Sequence, residues 1–414
     1  MAQWCILFME GCAMLKRAIS PVVARYAASW PAVTILGPRQ AGKTTLAKAL
    51  FPSYSYANLE AREARELAAH DMHAFFSLYP PPVIIDEVQT VPDILSQIQV
   101  RIDENRKACG QFILTGSHQS ALSSAIAKSL AGRTAIVDML PLSFAELSSK
   151  DRKLPTDELM IRGFMPEIVA EGKAPDEFYR FYYRTYIERD ISDFVNLRNK
   201  SRFEKFMVLL AGRTGQLLNL SSLAAEVGTS STTLEGWLSL LEASYVCFRL
   251  RPYFANIGKR MVKTPKLYFY ETGLVCHLLG IKTPEQLMHD PLRGNVFENM
   301  VVSERIKQLC HCGQKPELYF LRTAKGFEID LLEKDDTGKF AVSEIKSAMS
   351  WHRSLIENLE TYLAQWPGES RATLVYDGKK MTTGTGISCL NFRHWHAPAP
   401  DETRPGSPPA ASPA

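Results

Sequence analysis

The sequence predicts an α/β protein built on a doubly wound parallel sheet, and three apolar runs carry that prediction. Ala32-Val33-Thr34-Ile35-Leu36, Pro82-Val83-Ile84-Ile85 and Gln111-Phe112-Ile113-Leu114 are short, β-rich and almost continuously apolar. Strands of that kind are buried on both faces, as in parallel sheets covered by helices. Helix-forming stretches separate the runs, which is the alternation of an α/β fold. Tyr54 to Asn58 supplies a further strand. Ala135 to Leu140 supplies another, closed by Pro141. Asp93 to Asn105 carries Ile94, Leu95, Ile98 and Ile102 at helical spacing.

The first strand runs into Gly37-Pro38-Arg39-Gln40-Ala41-Gly42-Lys43-Thr44, followed by the helix-forming Thr45-Leu46-Ala47-Lys48-Ala49-Leu50. The pattern is G-x-x-x-x-G-K-[ST] between a strand and a helix, the context of a phosphate-binding P-loop. Its glycines let backbone N–H groups turn inward around an anion, and the helix points its positive end at the same place. Residues 37 to 45 are therefore candidate nucleotide-binding residues. Lys43 would reach the β- and γ-phosphates, and the hydroxyl of Thr44 would bind Mg²⁺.

The second strand ends in Asp86-Glu87, two acids at the carboxyl edge of the sheet where ligands gather. Asp86 would hold the Mg²⁺ shell and Glu87 would polarise an attacking water. The third strand ends in Thr115-Gly116-Ser117 at the same edge. Thr115 or Ser117 fits either a contact to the γ-phosphate or its water, or a helix-capping turn. Arg133, one helix length further on, fits the phosphate site, an arginine finger acting on a neighbouring subunit, or a surface salt bridge.

Composition bounds the class without choosing a function. A chain of 414 residues has room for two or three domains. Its 46% apolar and 22% charged residues are ordinary for a soluble protein, and a net charge of +4 selects no partner. The eight cysteines form no framework, which fits reduced thiols in a cytoplasm. Met1 to Leu15 is apolar but too short to span a bilayer. The chain from Met14 onward reads as a cytosolic start, with residues 1–13 coming from a start codon called too early; a short membrane-seeking helix is the alternative reading.

Residues 150 to 215 read as helical and contain Phe178-Tyr179-Arg180-Phe181-Tyr182-Tyr183-Arg184. Such a run can stack nucleic-acid bases, but packing is the preferred reading, because apolar residues recur there at core spacing. Residues 219 to 270 resemble a winged helix: a capped helix ending at Gly228, a second from Ser230 to Ala243, and strands Tyr245–Arg251 and Lys266–Tyr270. The second helix has no Lys or Arg, which is poor chemistry for a phosphate-lined groove. Arg249, Arg251, Lys259, Arg260, Lys263 and Lys266 make the wing basic, so contact with a DNA or RNA backbone is one reading and a protein-docking module is another.

The last third holds a quieter constellation. Glu298 lies in a predicted helix, Asp330 on the strand Gly326–Leu332, and Glu344 and Lys346 two apart on Val342–Lys346, hence on one face. The order matches the D…(D/E)-x-K arrangement of a restriction-endonuclease-like α/β fold. On that reading Glu298, Asp330 and Glu344 would hold Mg²⁺, with Asp330, Glu344 and Lys346 acting on a phosphodiester. Residues 396–414, rich in Pro, Ala and Ser, read as a disordered tail.

The combination is similar to prokaryotic AAA-type ATPases that pair a P-loop domain with a C-terminal domain of unknown function. The resemblance rests on residues 37–45, Ile84-Ile85-Asp86-Glu87-Val88-Gln89, Leu114-Thr115-Gly116-Ser117 and Leu130-Ala131-Gly132-Arg133. It also rests on Tyr186-Ile187-Glu188-Arg189-Asp190 and Leu267-Tyr268-Phe269-Tyr270-Glu271-Thr272-Gly273. Members usually carry Asp where Glu271 stands. The resemblance implies ATP binding and hydrolysis by residues 16–148, a winged-helix segment over 149–275 and a nuclease-like domain over 276–395. Oligomerisation is compatible with it, and no membrane partner is expected.

Overall fold

The computed structural model describes residues 15–117, 126, 128–187, 200–253, 262–334, 338–366 and 370–395. Residues 1–13, Glu188 to Asp190, Lys259, Arg260 and the tail 396–414 lie outside the described residues.

The first layer follows the chain as α1 (Ser20–Ser29), β1 (Ala32–Leu36), α2 (Lys43–Leu50), β2 (Ser55–Asn58), α3 (Arg62–His70), α4 (Met72–Leu78), β3 (Val83–Asp86), α5 (Ile94–Glu104), β4 (Phe112–Gly116) and β5 (Thr134–Asp138). The five strands are parallel, in the order β2-β3-β4-β1-β5. Alternation along β1 feeds two cores, because successive strand side chains face opposite ways. Val33 and Ile35 pack with Val22 and Val23 of α1 and Leu46 of α2. Ala32 and Leu36 join the core of α3, α4 and α5 on the other face, which includes Ile94, Leu95, Ile98 and Ile102. All strands point their carboxyl ends to one edge, where residues 37–44, Asp86 and Thr115 meet.

The middle segment is α6 (Thr156–Arg162), α7 (Pro166–Glu171), α8 (Pro175–Tyr182), α9 (Lys200–Ala211), α10 (Leu220–Val227), α11 (Ser231–Ala243), β6 (Cys247–Pro252) and β7 (Lys266–Phe269). A π-helical turn, Tyr183–Ile187, continues α8. Phe178, Tyr179 and Tyr182 are buried while Arg180 and Phe181 are exposed, so the aromatic run packs. Asn219 caps α10, which ends at a left-handed Gly228, and Ser230 caps α11.

The last segment is α12 (Thr272–Leu278), α13 (Pro284–His289), α14 (Arg293–His311), β8 (Leu318–Arg322), β9 (Glu328–Lys334), β10 (Phe340–Lys346), α15 (Glu357–Gln365), β11 (Ser370–Tyr376), β12 (Met381–Thr382) and β13 (Ser388–Asn391). Its mixed sheet has the order β12-β13-β11-β10-β9-β8-β6-β7. Strand β6 pairs antiparallel with β7 and parallel with β8, so one sheet spans position 275. Val296, Phe297 and Met300 of α14 share a core with the first layer. Among the described residues no helix is long and apolar enough to cross a membrane.

Candidate functional site

The loop after β1 is shaped by two glycines and one strained residue. Gly37 has φ +152°, and a Cβ on it would lie 2.0 Å from the carbonyl oxygen of Met139. Gly42, at φ +91°, precedes Lys43 at the start of α2. Gln40 has φ +60° without being glycine, a conformation that costs energy and is held by surrounding contacts. Arg17 braces the loop from behind. It donates to Ala41 O (2.6 Å) and Leu140 O (2.6 Å) and pairs with Glu146 (2.9 Å). Gln40 Nε2 donates to the hydroxyl of Tyr186 at 3.1 Å, and the Arg39 guanidinium lies 5.4 Å from the centre of the Tyr186 ring.

Lys43 is buried, and its Nζ donates to Gly37 O (3.0 Å) and Pro38 O (2.8 Å). Burial pushes its pKa down to about 8, against the pull of Glu87 and Asp86. Thr44 donates to Asp86 at 2.9 Å, which places the expected hydroxyl and carboxylate of a Mg²⁺ shell together. Thr45 sits exposed in the first turn of α2.

Asp86, buried at the end of β3, also accepts from Tyr56 Oη (2.9 Å) and from Thr115 Oγ1. Glu87 has φ +54°, a second strained non-glycine residue at the same edge. Its N–H donates to Thr115 Oγ1 (3.2 Å). Its Oε2 accepts from Ser117 Oγ (3.0 Å) and from Gln89 Nε2. Thr115 is fully buried and Ser117 nearly so. Their hydroxyls orient the two acids. Paired hydroxyl and carboxylate, a lysine whose hydrogen bonds among the described residues go to its own loop's carbonyls, and left-handed backbone at both Gln40 and Glu87 together fit ATP with Mg²⁺.

Arg133 is not part of this edge. Its carbonyl accepts from Ala32 N, at the start of β1, so it lies at the amino end of the sheet. Its guanidinium forms a two-point pair with Asp103 (2.9 and 2.8 Å). One helix length of sequence returned the chain to the opposite edge, and the salt-bridge reading holds in place of the phosphate contact.

The second acidic group does assemble, but around lysines. Lys346 Nζ lies 3.1 Å from Asp330 Oδ2 and 2.6 Å from Glu344 Oε2. Ile345 N–H donates to Asp330 (2.8 Å), and Asn358 donates to Glu344 (3.0 Å). Lys266, 2% exposed, places its ammonium 2.9 Å from Glu298, 2.5 Å from Glu328 and 3.8 Å from Asp330. Tyr268 Oη also donates to Glu298 (2.6 Å).

Burial, then the charge of Asp330, raises Glu344 to about 9. Burial opposes the charge of Asp330, but Lys346 and Lys266 overrule it and hold that carboxyl well below its usual range. Burial, then Asp330, raises Glu298. Lys266 thus stands where the expected shell of Glu298 and Asp330 would need a metal. Among the described residues no group of three His, Cys, Asp or Glu is placed to hold one. The arrangement does not fit Mg²⁺.

The same observation corrects the basic wing. Lys266 is an interior counter-ion, and Arg249 is spent on Glu242 (2.6 Å) and Glu235 (2.7 Å). Arg251 and Lys263 are exposed. Glu271 is buried and caps α12: it accepts from Phe164 N (3.0 Å) and Gly273 N (3.3 Å).

Tyr56, Gln89, Arg17 and Tyr186 were given no role at this site from the sequence, although Gln89 and Tyr186 lie in motifs that carry the resemblance. Gln89 follows Glu87 by two residues and was the one legible locally. The others arrive from distant positions.

An AAA domain model matches residues 29–148. Two models described as domains of unknown function, DUF8612 and DUF4143, match residues 155–285 and 293–395. An uncharacterised protein of Mycobacterium tuberculosis is 32% identical over 83% of this chain and 78% of its own. An uncharacterised protein of Haemophilus influenzae is 26% identical over 54% of this chain and 57% of its own. A solved Walker-type ATPase of Pyrococcus abyssi is similar over 63% of this chain and 94% of its own, at 16% identity and a TM-score of 0.39. With its AAA domain, its ordered phosphate loop and a relative at that identity over most of its length, the chain belongs to the AAA-type P-loop ATPases that end in a domain of unknown function.

Proposed function

We propose that the protein hydrolyses ATP and works as a nucleotide switch that docks a protein partner, with its C-terminal acidic cluster serving as an ion-paired core. The observation that carries the hydrolytic step is the division of labour at the end of β3. Asp86 is bound to the Thr44 hydroxyl, while Glu87 is turned away from it by a left-handed backbone and held by Ser117 and Gln89. Bound Mg²⁺ would neutralise phosphate charge. Lys43 would exchange the carbonyls of Gly37 and Pro38 for phosphate oxygens. Glu87 would take the proton of the attacking water, and Thr115 would keep both acids in register.

The switch reading is supported by the contacts that leave the loop: Arg17 to Glu146, and Gln40 to Tyr186 of the middle segment. The inert reading of the last segment is supported by Lys266.

A second reading has the nucleotide state controlling nucleic-acid cleavage by a restriction-endonuclease-like C-terminal domain. It is supported by the adjacency of Asp330, Glu344 and Lys346 on β9 and β10 and by exposed Arg251 and Lys263. Phosphate release from ATP, measured alone and with DNA or RNA, separates the two. Turnover unaffected by nucleic acid, with no nicking of supercoiled plasmid in Mg²⁺ or Mn²⁺, is the expected result. Stimulated turnover with nicking that Asp330→Ala abolishes would install the second reading.

A further inference from the structure

Gln40 sits at the tip of the phosphate loop in a left-handed conformation that a non-glycine residue adopts only under constraint. The first layer supplies Arg17, which holds the next residue, Ala41, through its carbonyl. The constraint on Gln40 itself comes from another part of the chain, since its amide nitrogen donates to Tyr186 Oη at 3.1 Å. Its amide oxygen is buried and finds no donor among the described residues, so the nitrogen's bond is the one that orients the side chain. The Tyr186 ring also underlies the Arg39 guanidinium, so two successive loop residues rest on one aromatic side chain.

Tyr186 is well fixed. It lies in the π-helical turn Tyr183–Ile187, its ring is 5.5 Å from that of Tyr182, and Tyr182 stacks on Phe178 at 5.9 Å. Phe178 and Tyr182 are buried in the main core. Single π turns within helices recur at functional positions because they re-aim one side chain.

We infer that Tyr186 is a positioning residue of the nucleotide site, supplied by the middle segment, which holds Gln40 and so presets the phosphate loop for the triphosphate. The inference rests on the reading of the loop as an ATP site. It also makes the loop and the α8 helix partners in one equilibrium, since whatever nucleotide does to the Gln40 contact is felt by the helix, and the reverse.

The test is a double-mutant cycle on the full chain, with Mg²⁺ and a fluorescent N-methylanthraniloyl ATP as the probe. Tyr186→Phe keeps the ring and loses the hydroxyl. Gln40→Asn tolerates the left-handed backbone and shortens the amide out of reach. Each should weaken binding about fivefold, the scale of one hydrogen bond, with the melting temperature unchanged, and for Tyr186→Phe the loss should fall on KM rather than on kcat. The double variant should be no weaker than either single one, because both remove the same contact.

Wild-type affinity in Tyr186→Phe, or a double variant whose loss is the product of the two, would overturn the inference. Absence of binding by the wild type would instead overturn the ATP reading beneath it.

Discussion

The molecule contains two groups built from the same residue types, and they are wired in opposite ways. At the first sheet's edge, Lys43 and the acids Asp86 and Glu87 are kept apart. The lysine bonds backbone carbonyls and the acids bond hydroxyls and an amide. Charge there is oriented without being cancelled, the condition for a site that must accept a charged ligand and its metal. In the second sheet, Lys266 and Lys346 sit directly on Glu298, Glu328, Asp330 and Glu344, and the charges are spent on one another. The same inventory therefore makes a receptive site in one place and a weld between β7, α14, β9 and β10 in the other. Residue type alone does not separate a catalytic cluster from a structural one; the partner of each charged atom does.

The largest effect that would break the comparison is on the weld. Lys266→Met should cost about 3–5 kcal/mol of stability, because it leaves buried carboxylates without their cation. The deficit should narrow on acidification. The freed carboxylates then have raised pKa values in the folded state, and protonating them removes the repulsion. Thermal melts across pH check both statements. A variant as stable as the wild type would mean that the cluster is not an ion-paired core.

Next in size is Lys43→Ala, which should reduce ATP affinity at least about a hundredfold by removing the cation proposed to meet the β- and γ-phosphates. It should leave the melting temperature close to that of the wild type, since among the described residues the Lys43 ammonium bonds its own loop. Equilibrium binding beside a thermal melt reads the contrast with Lys266 directly.

The third effect is a pH dependence confined to the first group. Burial holds Lys43 at about 8, below its ordinary 10.5. Bound phosphates favour the protonated amine, so above pH 8 binding must take up a proton. Affinity should then be level below pH 8 and fall by up to about tenfold per pH unit above it. Titrations from pH 7 to 9.5 test the sign, and an affinity that stays level throughout would place Lys43 away from the phosphates.

Much of the first group was legible in the sequence, and the reason is local. A phosphate loop is made by consecutive backbone units between a strand and a helix, so Gly37 to Thr44 carry its geometry in their spacing. Asp86 and Glu87 were legible because an apolar strand must end where the parallel sheet exposes its carboxyl edge. Tyr56, Arg17 and Tyr186 were not, since they reach the site through contacts across 24 to 146 positions.

Arg133 was misplaced because one helix length reverses the chain's direction, and sequence distance does not say which sheet edge follows. In the second group the two-residue period brought Glu344 and Lys346 to one face correctly. Lys266 was misjudged as a wing cation because a lysine's burial depends on which carboxylates fold against it. Glu298 and Glu328 come from a helix and a strand that the sequence does not visibly aim at β7.

The central claim is that Glu87, held apart from Thr44 and Asp86, the pair proposed to hold Mg²⁺, is the group that activates water. Single-turnover phosphate release from Mg²⁺-ATP by the wild type and by Glu87→Gln tests it most directly, with nucleotide binding measured on the same samples. The account predicts binding within about threefold of the wild type and release slowed at least about a hundredfold, the scale of general-base catalysis. Release at the wild-type rate by Glu87→Gln would contradict it.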